Sequence, residues 1–468
     1  GGINTHAVLE EAPASAQRPL SFARRECELC VFAAASEAEL LAQMQQVQGY
    51  IENNPGVALL DLAATLAARD CADKPVRLAV LAGDVAELAK KLQQAAKKIA
   101  EAKSPRWMTR TGLVFSSQPL QGKLAFLFPG EGSQYLNMLA DLAQQFPEVR
   151  EWFDFWQGLY DEQPGSTRTD ILFPPASELD DELRRRLEAR LFDMDVGSEA
   201  VFVASQALFS LLGALGVEPD AMLGHSTGES SALAASGAIA FTDREQLADF
   251  IRELNQVYRG VLDGGGIATG ALLTVGALKR ELVDRHIAAC AAPVSVAMDN
   301  CQNQLVLFAD RATVEGLLQL LSEEGGICSI LPFDRAYHTP LFAAVTSAFH
   351  QYYHAVGLQA PKTPLYSCAS AGLFPADSSA VCELAAAQWS NTVRFRETIA
   401  NMHRDGVRYF VEVGPSGNLT GFVNDILGGE EYLAIASNAR KRSGVEQLFN
   451  LLGSLFACGG GGNTAPAP

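Results

Sequence analysis

The sequence lacks a long hydrophobic run, an excess of basic charge and any cluster of metal-binding side chains. No stretch approaches the roughly 18 to 20 uninterrupted apolar residues of a membrane-spanning helix, so no membrane partner is expected. Acidic residues outnumber basic residues 54 to 36, which gives a net charge of −18. That balance argues against nucleic acid as a partner and leaves open only phosphate ligands at local basic patches. With seven histidines and no HExxH pattern, no metal site is predicted.

Paired cysteines are also missing. The nine cysteines are an odd number scattered along the chain, which is typical of a reducing compartment. Cys27 and Cys30 form a lone C-x-x-C within a predicted strand, and without a second pair or a nearby histidine we expect no zinc or redox role. Since no charged-then-apolar signal segment opens the chain, a cytoplasmic location is expected.

What the sequence does contain is enough apolar material for several cores. At 468 residues and 48% hydrophobic content, two or three domains are expected. Residues 26–118 alternate strand and helix patterns and predict a small α/β domain in which we find no chemistry. The lysines of its last helix fit a solvated face better than a binding patch; they are Lys90, Lys91, Lys97 and Lys98.

The strongest chemical signal is a serine between two glycines, GHSTGE at 224–229. A short apolar strand pattern precedes it and an Ala-rich, helix-prone run follows. This is the strand, turn and helix context of a nucleophile elbow, in which the helix directs free N–H groups and its positive dipole end toward Ser226. A chance GxSxG at a turn is the alternative for the bare pattern, and the context disfavours it.

A second glycine-rich turn, PGEGSQ at 129–134, follows the apolar strand pattern at 124–128. On its own, such a turn is more often a tight connection. Beside a serine elbow it has a specific use, because acyl transfer needs a second backbone N–H to complete an oxyanion hole. Glu131 is placed to provide it.

Four motifs together resemble the malonyl-CoA:acyl-carrier-protein transacylases, which include the acyltransferase domains of polyketide, fatty-acid and polyunsaturated-fatty-acid synthases. They are FPGEGSQ at 128–134, GHSTGE at 224–229, YHTP at 337–340 and VEVGPSGNLTG at 411–421. In addition, GGINTHAVLEEAP at 1–13 is similar to the end of a ketosynthase domain. Residues 26–118 resemble the linker domain between ketosynthase and acyltransferase. The resemblance implies a piece of a longer synthase, most like the iterative polyunsaturated-fatty-acid and enediyne types.

The resemblance assigns catalytic roles. Ser226 is the expected nucleophile and His338 its general base, and the backbone N–H groups of Glu131 and Thr227 form the expected oxyanion hole. The family usually has glutamine where this chain has Glu131, but a backbone donor does not depend on its side chain. We expect the carboxylate to point away or to pair. In the family a main-chain carbonyl, rather than an acid, orients the base.

The resemblance also implies substrate-binding residues. The family's arginine for the malonyl carboxylate lies about 25 positions after the serine, where this chain has Ile251, so a one-residue slip makes Arg252 the expected clamp. A surface helix residue is the alternative for it. His225 is expected either to line the pocket or simply to pack against its neighbours. Asn300 lies where the family has a polar turn that contains asparagine, and an ordinary turn without a binding role explains it equally well. Tyr337 is bulky enough to exclude an α-methyl branch, which favours malonyl over methylmalonyl.

The fold class implied is α/β, with a large α/β-hydrolase-like core, an inserted ferredoxin-like subdomain and a preceding small α/β linker domain. The segment's own pattern of strand, helix, strand, strand, helix and strand also predicts a ferredoxin-like unit. The expected domains are a ketosynthase end and connector at 1–25, the linker domain at 26–118, the large subdomain at 119–262 and 334–440, the ferredoxin-like subdomain at 263–333 and a C-terminal linker at 441–468.

The expected activity is ping-pong transfer of a malonyl group from malonyl-CoA, through an ester on Ser226, to the phosphopantetheine thiol of an acyl carrier protein. No permanently bound cofactor is expected, and the expected partners are malonyl-CoA, a carrier protein domain and a neighbouring ketosynthase. A serine hydrolase or thioesterase would share Ser226 and His338 but would want an acidic third member and water as acceptor. A catalytically inactive docking module is a third interpretation, and the intact Ser226 and His338 pair argues against it.

Overall fold

The structure is a computed structural model that describes residues 26–460 apart from 72, 102–103, 161–166, 176, 178, 264–267 and 333–334. The predicted ketosynthase end and connector at 1–25 lie outside the described residues, as does the stretch 461–468 of the predicted linker. Within the described residues the chain is an α/β protein with three β-sheets.

The N-terminal part is an antiparallel sheet with strand order β1-β2-β4-β3. Its elements are β1 (Glu28–Ala34), α1 (Glu37–Asn53), α2 (Leu59–Ala67), β2 (Val76–Ala82), α3 (Val85–Glu101), β3 (Arg106–Met108) and β4 (Leu113–Ser116). Helix α1 begins where the Ser36 hydroxyl accepts the N–H of Glu39, a common N-cap. The three helices bury one face of the sheet. Lys91 corrects the expected solvated face of α3, because it is buried and its Nζ donates to the carbonyl oxygen of Leu81 at 2.6 Å.

The next segment begins the large subdomain. Its elements are β5 (Lys123–Phe128), α4 (Ala140–Gln145), α5 (Pro147–Gln157), α6 (Arg168–Leu172), α7 (Asp181–Leu191), α8 (Met194–Ala214), β6 (Ala221–Gly224), α9 (Gly228–Ala235) and α10 (Arg244–Asp263). Within α8, the stretch Val196–Ala214 is long and apolar enough to cross a membrane, and 78% of the apolar window is buried inside the protein. That burial identifies α8 as a core helix, packed on α5 and α9.

A small subdomain follows, with the elements in the order strand, helix, strand, strand, helix, strand. They are β7 (Ala271–Gly276), α11 (Arg280–Ala289), β8 (Ser295–Cys301), β9 (Gln304–Ala309), α12 (Arg311–Glu323) and β10 (Ile327–Ile330). The strands pair antiparallel in the order β10-β7-β9-β8. Residues alternate along β7 and β9, so Leu273 and Leu307 pack under the helices while Leu272, Val306 and Phe308 join the core of the large subdomain.

The chain then returns to the large subdomain through a short 3₁₀ turn, Pro340–Phe342. The remaining elements are α13 (Ala343–Val356), β11 (Leu365–Ser367), β12 (Gly372–Leu373), α14 (Ser378–Ala387), α15 (Phe395–Arg404), β13 (Val407–Glu412), α16 (Asn418–Ile426), β14 (Leu433–Ala436) and α17 (Gly444–Cys458).

The large sheet brings the two glycine-containing turns together. Its order is β12-β11-β6-β5-β13-β14, and all neighbours pair parallel except β12 with β11. The central strand β5 is apolar on both faces and buried apart from its first residue, as expected for a strand covered by helices on both sides. Phe128, the last residue of β5, lies opposite Gly224, the last residue of β6. The turns that follow these strands therefore start side by side at the carboxyl edge of the sheet.

Helix α17 corrects the expected linker at 441–468. Val445, Leu448, Leu451 and Leu455 recur at helical spacing and are buried. The helix covers the second face of the N-terminal sheet through contacts with β1, β2 and β4. Asp141 fixes its start, because its Oδ2 accepts the N–H of Gly444 at 2.6 Å.

Candidate active site

The nucleophile turn has the strained backbone that an exposed serine needs. Ser226 lies in the left-handed region at φ 54°, which is costly for a residue other than glycine. Its flanking glycines allow close packing. A Cβ on Gly224 would lie 2.3 Å from Glu229 Cα, and one on Gly228 would lie 2.2 Å from the carbonyl oxygen of Phe128. The turn thus tolerates no larger residue at either glycine.

Ser226 and His338 form a hydrogen-bonded pair. Ser226 Oγ lies 2.6 Å from His338 Nε2, although 112 residues of chain separate them. On the other side of the ring, His338 Nδ1 lies 2.8 Å from the carbonyl oxygen of Gln388. A carbonyl oxygen can only accept, so Nδ1 carries the proton and Nε2 is free to accept the serine proton. No carboxylate takes part in these contacts.

Burial keeps this histidine neutral. His338 is 2% exposed, and desolvation lowers its pKa from 6.5 to about 4, although the hydrogen bond to Gln388 acts in the opposite direction. At neutral pH the ring therefore is a proton acceptor. The backbone N–H of His338 donates to the carbonyl oxygen of Trp389 at 3.1 Å, and this hydrogen bond fixes the backbone of the histidine.

The two expected oxyanion donors differ in whether their N–H groups are already hydrogen-bonded. The N–H of Thr227 makes no hydrogen bond to another residue in the described part of the chain, and it lies at the N-terminus of α9. The N–H of Glu131 instead donates to Thr227 Oγ1 at 2.9 Å. For Glu131 to stabilise an oxyanion, the anion must share or replace the threonine oxygen. The first residues after β5 stay close to the elbow, since the N–H of His225 donates to the Phe128 carbonyl at 2.9 Å.

Of the two expected alternatives for the Glu131 carboxylate, pointing away or pairing, the structure shows no pairing in the part of the chain that it describes. Among the described residues it has no hydrogen-bond or ionic partner, and it lines the cleft that contains Ser226. Desolvation raises its pKa from 4.5 to about 7. Near neutral pH this carboxyl group therefore divides between its neutral and charged forms.

The cleft lies between the large and small subdomains and has a volume of about 310 Å³. Five of the other expected residues line it with Ser226 and His338; these are Glu131, His225, Thr227, Asn300 and Tyr337. His225 Nε2 donates to Asn300 Oδ1 at 2.7 Å, which ties the nucleophile turn to β8 of the small subdomain. Burial lowers the pKa of His225, and its ring packs edge-on against Phe395 at 5.3 Å.

Arg252 is not brought to this cleft. Its Nε and Nη2 donate to the carbonyl oxygen of Leu159 at 3.1 and 2.8 Å, and its Nη1 pairs with Asp249 at 3.1 Å. The expectation of a carboxylate clamp at Arg252 is therefore corrected. The preceding residue, Ile251, is 2% exposed and lines a small cavity next to Thr227. Counting 25 positions from Ser226, without the one-residue shift assumed above, gives Ile251, whose side chain lines this cavity.

Sequence reasoning missed several residues that complete the site. The carbonyl groups of Gln388 and Trp389 hold His338, and Gln304 accepts from the Asn300 amide at 2.9 Å. Backbone carbonyl acceptors carry no side-chain signal, so only the fold reveals them. Within the described residues there is no group of three or more histidine, cysteine or acidic side chains placed to hold a metal ion.

A serine on a strained strand-to-helix turn, paired with a neutral histidine and flanked by backbone N–H groups, defines a serine–histidine acyl-transfer site. Comparison with known families agrees with this geometry. A family model described as the acyl transferase domain matches residues 125–442, and the chain belongs to that family.

Relatives extend the likeness over most of the chain. The phenolphthiocerol synthesis polyketide synthase Pks15/1 of Mycobacterium marinum is 28% identical over 98% of this chain and 20% of its own length. The malonyl CoA-acyl carrier protein transacylase of Bacillus subtilis is 27% identical over 65% of this chain and 90% of its own length. The acyltransferase domain from the second module of the salinomycin polyketide synthase superposes with a TM-score of 0.64 at 26% identity, covering 92% of this chain and 93% of that domain. The chain spans about one fifth of the first of these relatives.

Proposed function

We propose that this chain is the acyltransferase domain of a multidomain synthase. It would move an acyl group from a coenzyme A thioester to the phosphopantetheine thiol of a carrier protein, through an ester on Ser226. The observation that carries this proposal is the 2.6 Å contact between Ser226 Oγ and His338 Nε2. A cytoplasmic location, a ketosynthase neighbour and the domain boundaries given above, with α17 added to the folded part, belong to the same proposal.

The first half-reaction begins with proton transfer. His338 Nε2 takes the proton of Ser226 as Oγ attacks the thioester carbonyl carbon. The N–H groups of Thr227 and Glu131 stabilise the resulting oxyanion, and a single donor of this kind contributes roughly 10² to 10³ in rate. When the carbon–sulfur bond breaks, His338 returns the proton to the coenzyme A thiolate. The second half-reaction repeats these steps with the carrier thiol as nucleophile.

The Gln388 carbonyl distinguishes this site from the hydrolase alternative. A serine hydrolase places a carboxylate on the far ring nitrogen of its base, whereas His338 Nδ1 donates to a backbone oxygen. A neutral partner stabilises the imidazolium less than a carboxylate does, which suits a reactive thioester donor better than an amide or ester. The similarity to named transacylases also supports transfer rather than hydrolysis.

Because relatives are named for malonyl transfer, malonyl is the acyl group that family likeness favours and the one with which other acyl groups should be compared. Tyr337 lines the cleft beside His338, which fits its proposed role in excluding a branched acyl group. We also propose the finer fold names, an α/β-hydrolase-like large subdomain and a ferredoxin-like insert. The parallel central sheet and the β10-β7-β9-β8 order support them.

The test is intact-protein mass spectrometry after brief incubation with acyl-coenzyme A thioesters, followed by addition of a holo carrier protein. We expect an acyl adduct on the wild type that passes to the carrier and is absent from Ser226→Ala. Ser231→Ala, a buried serine on the helix that follows the nucleophile turn, is the matched control and should label normally. Rapid hydrolysis without carrier loading would instead assign the protein to the thioesterase class.

A further inference from the structure

A small, largely apolar cavity adjoins the catalytic site at Thr227. We call it the rear cavity. Its lining residues are Phe202, Thr227, Ile251, Leu254, Phe349 and Trp389, together with the polar residues Ser198, Glu199, Ser230 and Asn255. Its volume is about 50 Å³, and helices α8, α9, α10 and α13 enclose it. It is distinct from the cleft in front of Ser226, which the small subdomain helps to form.

Two residues that line the rear cavity are neighbours of the catalytic residues. Thr227, which follows the nucleophile, lines the cavity and the cleft. Trp389, whose carbonyl holds the His338 backbone, forms another wall. The rear cavity therefore adjoins the residue that follows the nucleophile and the residue that holds the base.

The charges around this cavity disfavour an anionic acyl group. No lysine or arginine is among the described residues that line the rear cavity or the cleft. The one charged residue on the cavity wall is Glu199, which is 3% exposed. Its carboxylate pairs with Arg168 at 2.8 Å and accepts from the Asn255 amide at 2.5 Å.

A malonyl group in the rear cavity would leave its carboxylate without a cation. The guanidinium of Arg168 is engaged by Glu199, and that of Arg252 by the carbonyl of Leu159 and by Asp249. Burying an unpaired carboxylate is strongly unfavourable, whereas burying methyl and methylene groups beside Ile251 is favourable.

We infer that the rear cavity selects a short uncharged acyl chain, such as acetyl to butyryl, and that Ile251 determines this preference over malonyl. The inference rests on the proposed acyl transfer through Ser226 and names its substrate class. The chemistry is unchanged. The thioester carbon–sulfur bond breaks, the Ser226 ester forms, coenzyme A leaves as the thiol, and no oxidant or reductant is needed.

The experiment compares acetyl-, propionyl-, butyryl-, malonyl- and methylmalonyl-coenzyme A on the wild-type chain by quenched-flow mass spectrometry of the Ser226 adduct. We expect kcat/KM for the best uncharged thioester to exceed that for malonyl by at least about tenfold, the range in which a small pocket discriminates. A malonyl rate equal to or above the uncharged rates would overturn the inference while leaving acyl transfer intact. An absence of any Ser226 adduct would instead reject the proposed function itself.

Two variants assign the preference to a residue. Ile251→Arg should shift the malonyl-to-acetyl ratio toward malonyl by about tenfold or more, and a folded variant with an unchanged ratio would contradict the role of Ile251. Arg252→Gln provides a test that does not alter the buried wall. Its ratio should equal that of the wild type, because ratios cancel any general loss of stability. A selective loss of malonyl labelling in Arg252→Gln would show that the guanidinium does reach the substrate, and would overturn the inference.

Discussion

The cleft in front of Ser226 and the rear cavity share Thr227, yet they are built from different chemistry. The cleft contains the catalytic pair and side chains that hydrogen-bond to one another, such as His225 to Asn300, as well as apolar residues such as Leu272 and Phe422. The rear cavity has five apolar lining residues, among them Ile251, and its exposed inner surface is largely apolar. Under the proposed roles, bond making and acyl selection are assigned to separate regions, the first to polar geometry and the second to size and charge.

The largest effect should come from removing the base in the cleft. His338→Ala eliminates the only neutral proton acceptor that contacts Ser226 Oγ among the described residues, and we expect acylation to fall by a factor on the order of 10⁶ for every thioester. His354→Ala, on an exposed position of α13, is the matched control. A loss confined to some acyl groups would mean that His338 acts in selection and would break the separation.

A change in the rear cavity should alter the acyl preference instead. Leu254→Phe fills part of the cavity, so we expect butyryl to lose about 10- to 100-fold in kcat/KM relative to acetyl. Leu247→Phe adds the same volume on the same helix outside the lining residues, and it should leave that ratio unchanged. Equal shifts in the two variants would indicate a general disturbance of α10 rather than a pocket.

Thr227 tests the boundary between the two regions. Thr227→Val keeps the shape but removes the oxygen that accepts the Glu131 N–H, so an enclosed donor loses its partner. We expect the free energy of unfolding to fall by about 1 to 3 kcal/mol in urea titration. Thr227→Ser retains the acceptor and should lose less. Equal stability of the valine variant and the wild type would show that the hydrogen bond contributes nothing in the resting enzyme.

The smallest effect concerns pH. The pKa of His338 is lowered to about 4 and that of Glu131 is raised to about 7. Acylation should therefore be lost below about pH 4, when the base is protonated, and should decline a few-fold above pH 7, when the Glu131 carboxylate ionises near the oxyanion. Glu131→Gln should keep the acid limb and abolish the alkaline decline. An alkaline decline that survives in this variant would assign it to another group.

His338 also affects stability in a defined direction. Its folded-state pKa of about 4 lies below the ordinary value of 6.5, so the unfolded chain binds more protons between these two values. The contribution of the neutral ring to stability is complete above pH 6.5 and is lost as pH falls toward 4.

Much of the site could be predicted from the chain because its motifs are local. The order of strands and helices in the small subdomain follows hydrophobic periodicity, and the serine turn follows from its glycines. The meeting of Phe128 and Gly224 could not be predicted in the same way, because strand register depends on long-range packing. The carbonyl of Gln388 was equally hidden, since any residue has one.

The error at Arg252 has a geometric cause. Successive residues on an α-helix are rotated by about 100°, as 3.6 residues complete one turn. A slip of one position therefore moved the expected side chain from the inner face of α10, where Ile251 lies, to the side that contacts Leu159.

Helix α17 was missed because the glycines that follow it dominated the interpretation of residues 441–468. Its apolar repeat was present, but nothing in the sequence states that its partner is a sheet more than 300 residues earlier in the chain. Gly453 shows how close that contact is, because a Cβ there would lie 2.9 Å from Leu29 Cδ1.

This packing has a consequence for any transfer of the catalytic unit into another protein. A cut placed before Gly444 would leave the N-terminal sheet with one bare apolar face, including Leu29 and Ala79, and would also free the Asp141 carboxylate that caps the helix. A graft that ends after Cys458 retains the interlocking of first and last elements, so the exchangeable piece is larger than its catalytic motifs.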